Sequence, residues 1–273
     1  MSKRKILALA SAVCMVAILA IGGTLAYFTD KDEATNTFTT GGVDITLIEQ
    51  ERGVNKDGEK ALVPYTGTKT LMPIVGAAQG EKDDFGQPVA ANYIDKIVTI
   101  KNTGKSAAWV RAYFAIPSVL DDGYETFNAG LNVLHFNFGN YFTEDGTLKT
   151  TYGEQWIWKK ADGKWKYYQT TIGGVAYNVY FADYYQPLAA GKTTEQFVSG
   201  VYLDANVDMN EQGQYTINRN GVTSVIEGFD GNAKCPVFAV AVQADGFDNA
   251  ADAITAAYGA QYNPFGGEAT NWQ

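Results

Sequence analysis

The chain has 273 residues, of which 46% are hydrophobic and 13% aromatic, and it carries 30 acidic against 21 basic side chains for a net charge of −9. That apolar content can supply a folded core, and the acidic balance excludes a polyphosphate partner, which needs a basic stripe, so no nucleic acid is expected. The only histidine is His135, which excludes a His-x-x-x-His zinc pair and any dyad of two imidazoles.

Lys3, Arg4 and Lys5 open the chain, and an uncharged run follows from Ile6 to Ile21, which together read as the basic region and apolar core of a secretory signal. The core is shorter than the roughly 20 residues that cross a bilayer comfortably. Thr24 and Ala26 then supply the small residues a signal peptidase requires, so cleavage is expected between Ala26 and Tyr27. Residues 1–26 are thus expected to meet the membrane and the peptidase only before cleavage, and the product to be secreted to the extracellular matrix or cell surface. Loss of the three basic residues takes the net charge from −9 to −12.

Residues 27–42 read as an extended segment, and 43–273 as one β-sandwich domain. Val43, Ile45 and Leu47 alternate with Asp44 and Thr46, as in a half-buried strand. Glu49 to Lys60 reads as a polar connection, and 61–90 as loops around short strands, with Lys82-Asp83-Asp84 exposed. Asn92 to Lys101, the turn Asn102-Thr103-Gly104-Lys105 and Ser106 to Ile116 read as a hairpin. An insertion is expected around 118–151.

Gln155 to Lys159, an Asp162-Gly163 turn and Lys164 to Gln169 read as a second hairpin, which Gly173-Gly174 extends through Val175 to Tyr184 into a three-strand meander. Further strands are expected at Thr194 to Leu203, Gln214 to Asn218 and Pro236 to Ala244. A single helix is expected from Asn249 to Tyr258, capped by Asp248 and ended by Gly259, with Ala250, Ala251, Ile254 and Tyr258 on one face. The predicted fold is all-β, an antiparallel β-sandwich of jelly-roll or immunoglobulin-like type with one short C-terminal helix.

The strongest functional candidate is the segment Tyr27-Phe28-Thr29-Asp30 with Phe38 beyond it. Freed by cleavage, it has apolar rings that it cannot bury alone. An open sheet edge on another copy of the chain would accept it as an added strand, and repetition of that contact gives a filament. Pairing back on its own sheet is the alternative.

Trp156, Trp158, Trp165 and Tyr167 crowd one region and form either a stacking platform for a glycan or packed faces of a sheet. Acidic pairs at Asp32-Glu33, Asp83-Asp84 and Asp121-Asp122, and Asp204 with Asp208 and Asp230 with Asp245, are possible calcium donors. None has the spacing of a calcium loop, so solvated turns are expected, no cofactor is assigned and metal ligands stay unassigned. His135 alternates with apolar neighbours, as a structural or rim residue does. Cys235, alone once the signal and its Cys14 are gone, opens an apolar run and reads as a buried small hydrophobe. No catalytic constellation emerges.

The block Gly23-Thr24-Leu25-Ala26-Tyr27-Phe28-Thr29-Asp30, followed by Ala34-Thr35-Asn36-Thr37-Phe38-Thr39-Thr40-Gly41 and Val43-Asp44-Ile45-Thr46-Leu47, resembles the TasA, CalY and camelysin group. Weaker echoes are Val98 to Gly104, Trp109-Val110-Arg111, Pro187 to Thr194 and Val242 to Phe247. The resemblance implies export through a SipW-type signal peptidase and subunits that polymerise into biofilm matrix fibres by strand donation. Partners implied are further copies of the chain, with matrix accessory proteins or polysaccharide. The camelysin name implies a second possibility, a cell-surface metallopeptidase, and the aromatic cluster a third, a glycan-binding surface module.

Overall fold

The computed structural model describes residues 42–66, 69–75, 92–123, 132–138, 144 and 155–273. Tyr27, Phe28, Thr29, Asp30 and Phe38, together with the signal-peptidase residues Thr24 and Ala26, lie outside them. In chain order the elements are β1 (Ile45–Val54), β2 (Lys60–Pro64), β3 (Ile94–Asp95), β4 (Ile97–Asn102), β5 (Ala108–Pro117), a 3-10 turn (Ser118–Leu120) and β6 (Leu134–Phe138). There follow β7 (Trp156–Ile157), β8 (Tyr167–Ile172), β9 (Val175–Tyr184), β10 (Val198–Leu203), β11 (Val207–Met209), β12 (Tyr215–Arg219), β13 (Val222–Val225), β14 (Val237–Gln243), α1 (Ala250–Tyr258) and β15 (Ala269–Thr270).

These strands make an all-β antiparallel sandwich with one short helix near its C-terminus. One sheet has the order β2-β1-β4 and continues into β3-β10-β6. The join runs through the backbone, since Thr194 N–H donates to Ile100 O, Phe197 N–H to Val98 O and Lys96 N–H to Ser199 O. The opposing sheet has the order β14-β5-β9-β8-β15. Connections β4–β5, β5–β6, β6–β7 and β9–β10 cross between the sheets, and the chain returns from β10 to β14 by way of the separate β11–β12–β13 sheet. Between the sheets lies a core built from Ile45, Leu47, Val98, Ile100, Phe136 and Val201 on one side and Val110, Ala112, Phe114, Tyr180 and Ala239 on the other. A second core fills the space between the outer face of the β14–β15 sheet and α1 with the C-terminal segment, where Trp272 stacks on Tyr168.

Because the sheet is covered on both faces, all ten residues of β5 are buried. Alternation disappears there, as it does in any strand with a core on each side.

Several expectations are corrected. The Asn102–Lys105 turn does not close a hairpin, because β4 pairs with β1 and β5 with β14 and β9. It is an arch between the two sheets, held by Asn102, whose Nδ2 donates to Ser106 O and Leu188 O while its Oδ1 accepts from Gly104 N–H. Glu49 to Lys60 is not a loop: β1 runs on to Val54 and turns at Asn55–Glu59 into β2. Asn55 Oδ1 organises that turn by accepting from the Asp57 and Glu59 amides.

The hairpin around Asp162-Gly163 forms as expected, with Lys159 bridged to Trp165 and Lys166 N–H donating to Trp158 O, but the meander is not three strands side by side, since β7 and β8 line the same side of β9. The β8–β9 turn is as expected: Gly173 and Gly174 both take positive φ, 57° and 88°, as a two-residue hairpin turn that matches strand twist demands. The segment read as an insertion contains β6, an integral strand of the first sheet. The helix cap is Asn249, not Asp248, with Asn249 Oδ1 accepting from Asp252 N–H. Ala253 rather than the exposed Ala251 shares its buried face with Ala250 and Ile254.

Candidate functional site

At one end of the six-stranded sheet, β14 pairs with β5 alone. Ala115 N–H donates to Pro236 O and Ala244 N–H to Ala107 O, so even-numbered residues of β14 point their backbone groups at β5. Val237, Ala239, Ala241 and Gln243 point theirs outward, where no strand among the described residues takes them up. Among the described residues, Tyr258 Oη reaches this edge, 3.5 Å from Ala241 O.

Yet this edge is not in water: Val237, Ala239 and Ala241 are each 0% exposed. A buried backbone donor or acceptor without a partner costs about 1–3 kcal/mol, which makes an unpaired, desolvated strand edge an unstable arrangement unless something completes it. The side chains of Val237, Ala239 and Ala241 belong to the core between the sheets, and those of Phe238, Val240 and Val242 to the core under α1. A strand added here would therefore set its alternate side chains into two apolar layers at once.

The described chain begins beside this edge. Lys105 N–H donates to Gly42 O, and Thr103 and Gly104 N–H to Asp44 O, which staples residues 42–44 to the arch. Gly104 is required by that closeness, because a Cβ there would lie 2.6 Å from Asp44 N. Three residues beyond the arch, Ala108 stands opposite Gln243 at the end of β14.

The aromatic cluster is not a glycan platform. Trp156 and Trp158 are 2% exposed, Trp165 6% and Tyr167 4%, so no ring face meets solvent. Trp158 stacks on Phe197 at 4.5 Å, Trp156 meets Tyr184 and Phe197, Trp165 packs edge-on against Phe138, and Tyr167 lies against Tyr180. These rings fill the core because the opposing sheet supplies aromatic side chains across from them. Ile157, on the other face of β7, is exposed instead.

His135 is half-buried on the outer face of β6, stacked on Tyr202 at 5.1 Å with Nε2 3.0 Å from Asp204 Oδ2. Hydrogen bonds from Asn206, then from His135, hold the Asp204 carboxyl below its ordinary value against the opposing effect of burial. Asp121 is not in a solvated turn: it is 4% exposed, and its Oδ2 accepts from Tyr180 Oη, Asn178 Nδ2 and Gly123 N–H while Oδ1 has no partner. Burial raises its carboxyl above the usual range, partly offset by Tyr180 and Asn178. Asp122, Asp208, Asp230 and Asp245 are exposed, and Asp32, Glu33, Asp83 and Asp84 lie outside the described residues. Among the described residues no three His, Cys, Asp or Glu side chains come together to hold a metal ion. Cys235 is buried, as expected, and burial pushes its thiol well above the usual range.

Residues 1–55 match the family model described as camelysin metallo-endopeptidase, and the described part of that stretch contributes β1. No curated protein and no solved structure matches the chain.

Proposed function

We propose that the chain is a secreted structural subunit of an extracellular matrix fibre, in which residues 27–38, freed by signal cleavage, add as a strand to the outer edge of β14 on a neighbouring copy. The observation that supports this reading is the edge itself: Val237, Ala239 and Ala241 are buried, and no strand among the described residues pairs with their outward backbone groups. Strand addition would supply the missing hydrogen bonds and would lodge Phe28 and Phe38, which share parity, in one apolar layer and Tyr27 in the other. Two buried aromatic side chains contribute about 3–6 kcal/mol of apolar transfer, and each backbone bond about 1 kcal/mol. The resemblance of residues 22–48 to matrix-fibre subunits points the same way. Since residues 42–44 are stapled beside the edge, the same segment could close on its own β14, and assembly then amounts to exchanging an internal strand for a neighbour's.

Deleting residues 27–38 is expected to abolish filaments in electron micrographs while the far-ultraviolet circular dichroism stays β-rich. Filaments of unchanged number and length would refute strand donation. A second reading, a cell-surface metallopeptidase, is favoured by the match of residues 1–55 to the camelysin family. Chelator-sensitive hydrolysis of casein by the purified protein would support it, and inert casein would dispose of it.

A further inference from the structure

The β11–β12–β13 sheet, which closes one end of the sandwich through Val207, Ile217 and Ile226, leaves a second bare edge of different character. Ile226 N–H donates to Tyr215 O, and Val222 stands opposite Arg219 across the Asn220-Gly221 turn, so Val222, Ser224 and Ile226 direct their backbone groups at β12. Thr223 and Val225 direct theirs away, and no strand among the described residues receives them. Unlike the β14 edge, this one is wet: Val222, Thr223 and Ser224 are exposed, Val222 by 69%.

Exposed edges are ordinarily guarded by a charge, a proline or a bulge. The opposite edge of the same small sheet follows that rule, with Asp208 at the centre of β11. Beyond its shortness, itself one such device, Val222-Thr223-Ser224-Val225 carries no charge, proline or bulge, in a chain whose net charge is −9. A two-fold axis through Ser224 would set Thr223 opposite Val225 of the second copy, and Val225 opposite its Thr223. Both would be hydrogen-bonded pairs, giving four backbone bonds.

We infer that β13 is a homotypic contact, pairing antiparallel with β13 of a second copy of this chain to join two three-stranded sheets into one of six. The pairing does not depend on strand donation at β14, though its consequence does. Four hydrogen bonds make a weak contact between monomers, but repeated along two fibres it would bundle them side by side by multivalency.

The two-fold axis brings Ser224 of both copies face to face as a non-hydrogen-bonded pair, the closest cross-strand geometry, with Cα atoms about 4.5 Å apart. Ser224→Cys in the protein isolated from its producing cell is therefore expected to give a disulfide-linked dimer under mild oxidation. The native thiol of Cys235 is buried and contributes no background. Gln212→Cys, at the exposed turn between β11 and β12, is expected to stay monomeric.

Adding Thr223→Pro removes an outward N–H without touching a backbone bond to β12, at the loss of the exposed hydrogen bond from Asn218 Nδ2 to Thr223 Oγ1, and is expected to cut the cross-linked yield about tenfold. Val222→Lys, at a position exposed enough to accept it without refolding risk, is expected to do the same through charge. Monomeric Ser224→Cys, or a cross-link indifferent to both added substitutions, would overturn the proposal. Repeating the cross-link on the chain lacking residues 27–38 separates the two ideas: a dimer that persists there stands whether or not filaments need that segment.

Discussion

Replacing Asp183 with asparagine tests the packing logic of the sheet that presents the β14 edge. Asp183 on β9 lies directly opposite Arg111 on β5, with Arg111 Nε 2.6 Å from Oδ1 and Nη2 3.2 Å from Oδ2, and Lys166 Nζ is 2.7 Å from Oδ2. The side chains of Arg111, Lys166 and Asp183 are 7%, 12% and 4% exposed. The Arg111 guanidinium also lies over the Phe181 ring at 4.9 Å. Asparagine keeps the shape but removes the negative charge, leaving two cations in a site with little access to water. Breaking a buried pair from one side costs about 3–5 kcal/mol. For a domain of this size each kcal/mol moves Tm by about 2–4 °C, so a fall of about 6–20 °C is expected in calorimetry or a dichroism melt.

The same residue sets a pH dependence. Burial opposes ionisation of Asp183, but Arg111 and then Lys166 outweigh it and hold the carboxyl below its ordinary value. A depressed folded-state value stabilises above the unfolded value near 4 and is lost as pH falls through the folded one. Acid titration of wild-type stability should therefore show a loss below about pH 4 that D183N lacks. Replacing all three charged side chains with apolar ones of similar volume is expected to recover most of the stability. A Tm drop of under about 2 °C in D183N, or one that the triple replacement leaves unrepaired, would refute the reasoning.

Asp121 should behave with the opposite sign. Its raised value favours the neutral form in the fold, so its stabilising contribution is full below the unfolded value near 4 and disappears as pH rises through the folded one. D121N is expected to gain on the wild type steadily above about pH 4 in urea titrations, and a difference that does not vary with pH would contradict this. Gly104→Ala forces a Cβ to 2.6 Å from Asp44 N and 2.7 Å from Gly42 O, both backbone atoms. It should destabilise by about 1–3 kcal/mol and should raise amide hydrogen exchange at residues 42–44, where unaltered exchange would show that the staple is not what holds them.

Strands were legible wherever alternation or a turn signal was local. Val175 to Tyr184 and Gly173-Gly174 were read with their observed boundaries, because a two-residue glycine turn demands adjacent antiparallel neighbours. Pairing was less legible. Nothing in Asn102-Thr103-Gly104-Lys105 distinguishes a hairpin from an arch, since the difference is made by Leu188 O and Asp44 O, contributed from far along the chain and from the residue just ahead of β1. The tryptophans followed the same division: alternation placed Trp156 and Trp158 on one side and Ile157 on the other, but only Phe197 and Phe138, from other strands, decide that the tryptophan side is the buried one.

The β14 edge could not be read at all, because an unpaired edge is a property of sheet order and not of Pro236 to Ala244. One available signal was passed over. Asn220-Gly221 between alternating residues is a strong hairpin marker, and it does introduce β13, the strand that bears the second bare edge. Asp121 looked like half of an acidic pair, and its burial depends on Asn178 and Tyr180 of β9.

The two flanks of the large sheet are finished differently. On the β8 side the chain's own tail closes the flank: Ala269 and Thr270 pair with Thr170 and Gln169, and Gln273 N–H reaches Tyr167 O. On the β14 side nothing described does so. Under the strand donation proposed above, each copy would be a building block with one socket and one plug, with a valence of one at each end. Chains of such blocks grow lengthwise with a fixed polarity and do not branch, so any network they form must be knitted by contacts along their flanks.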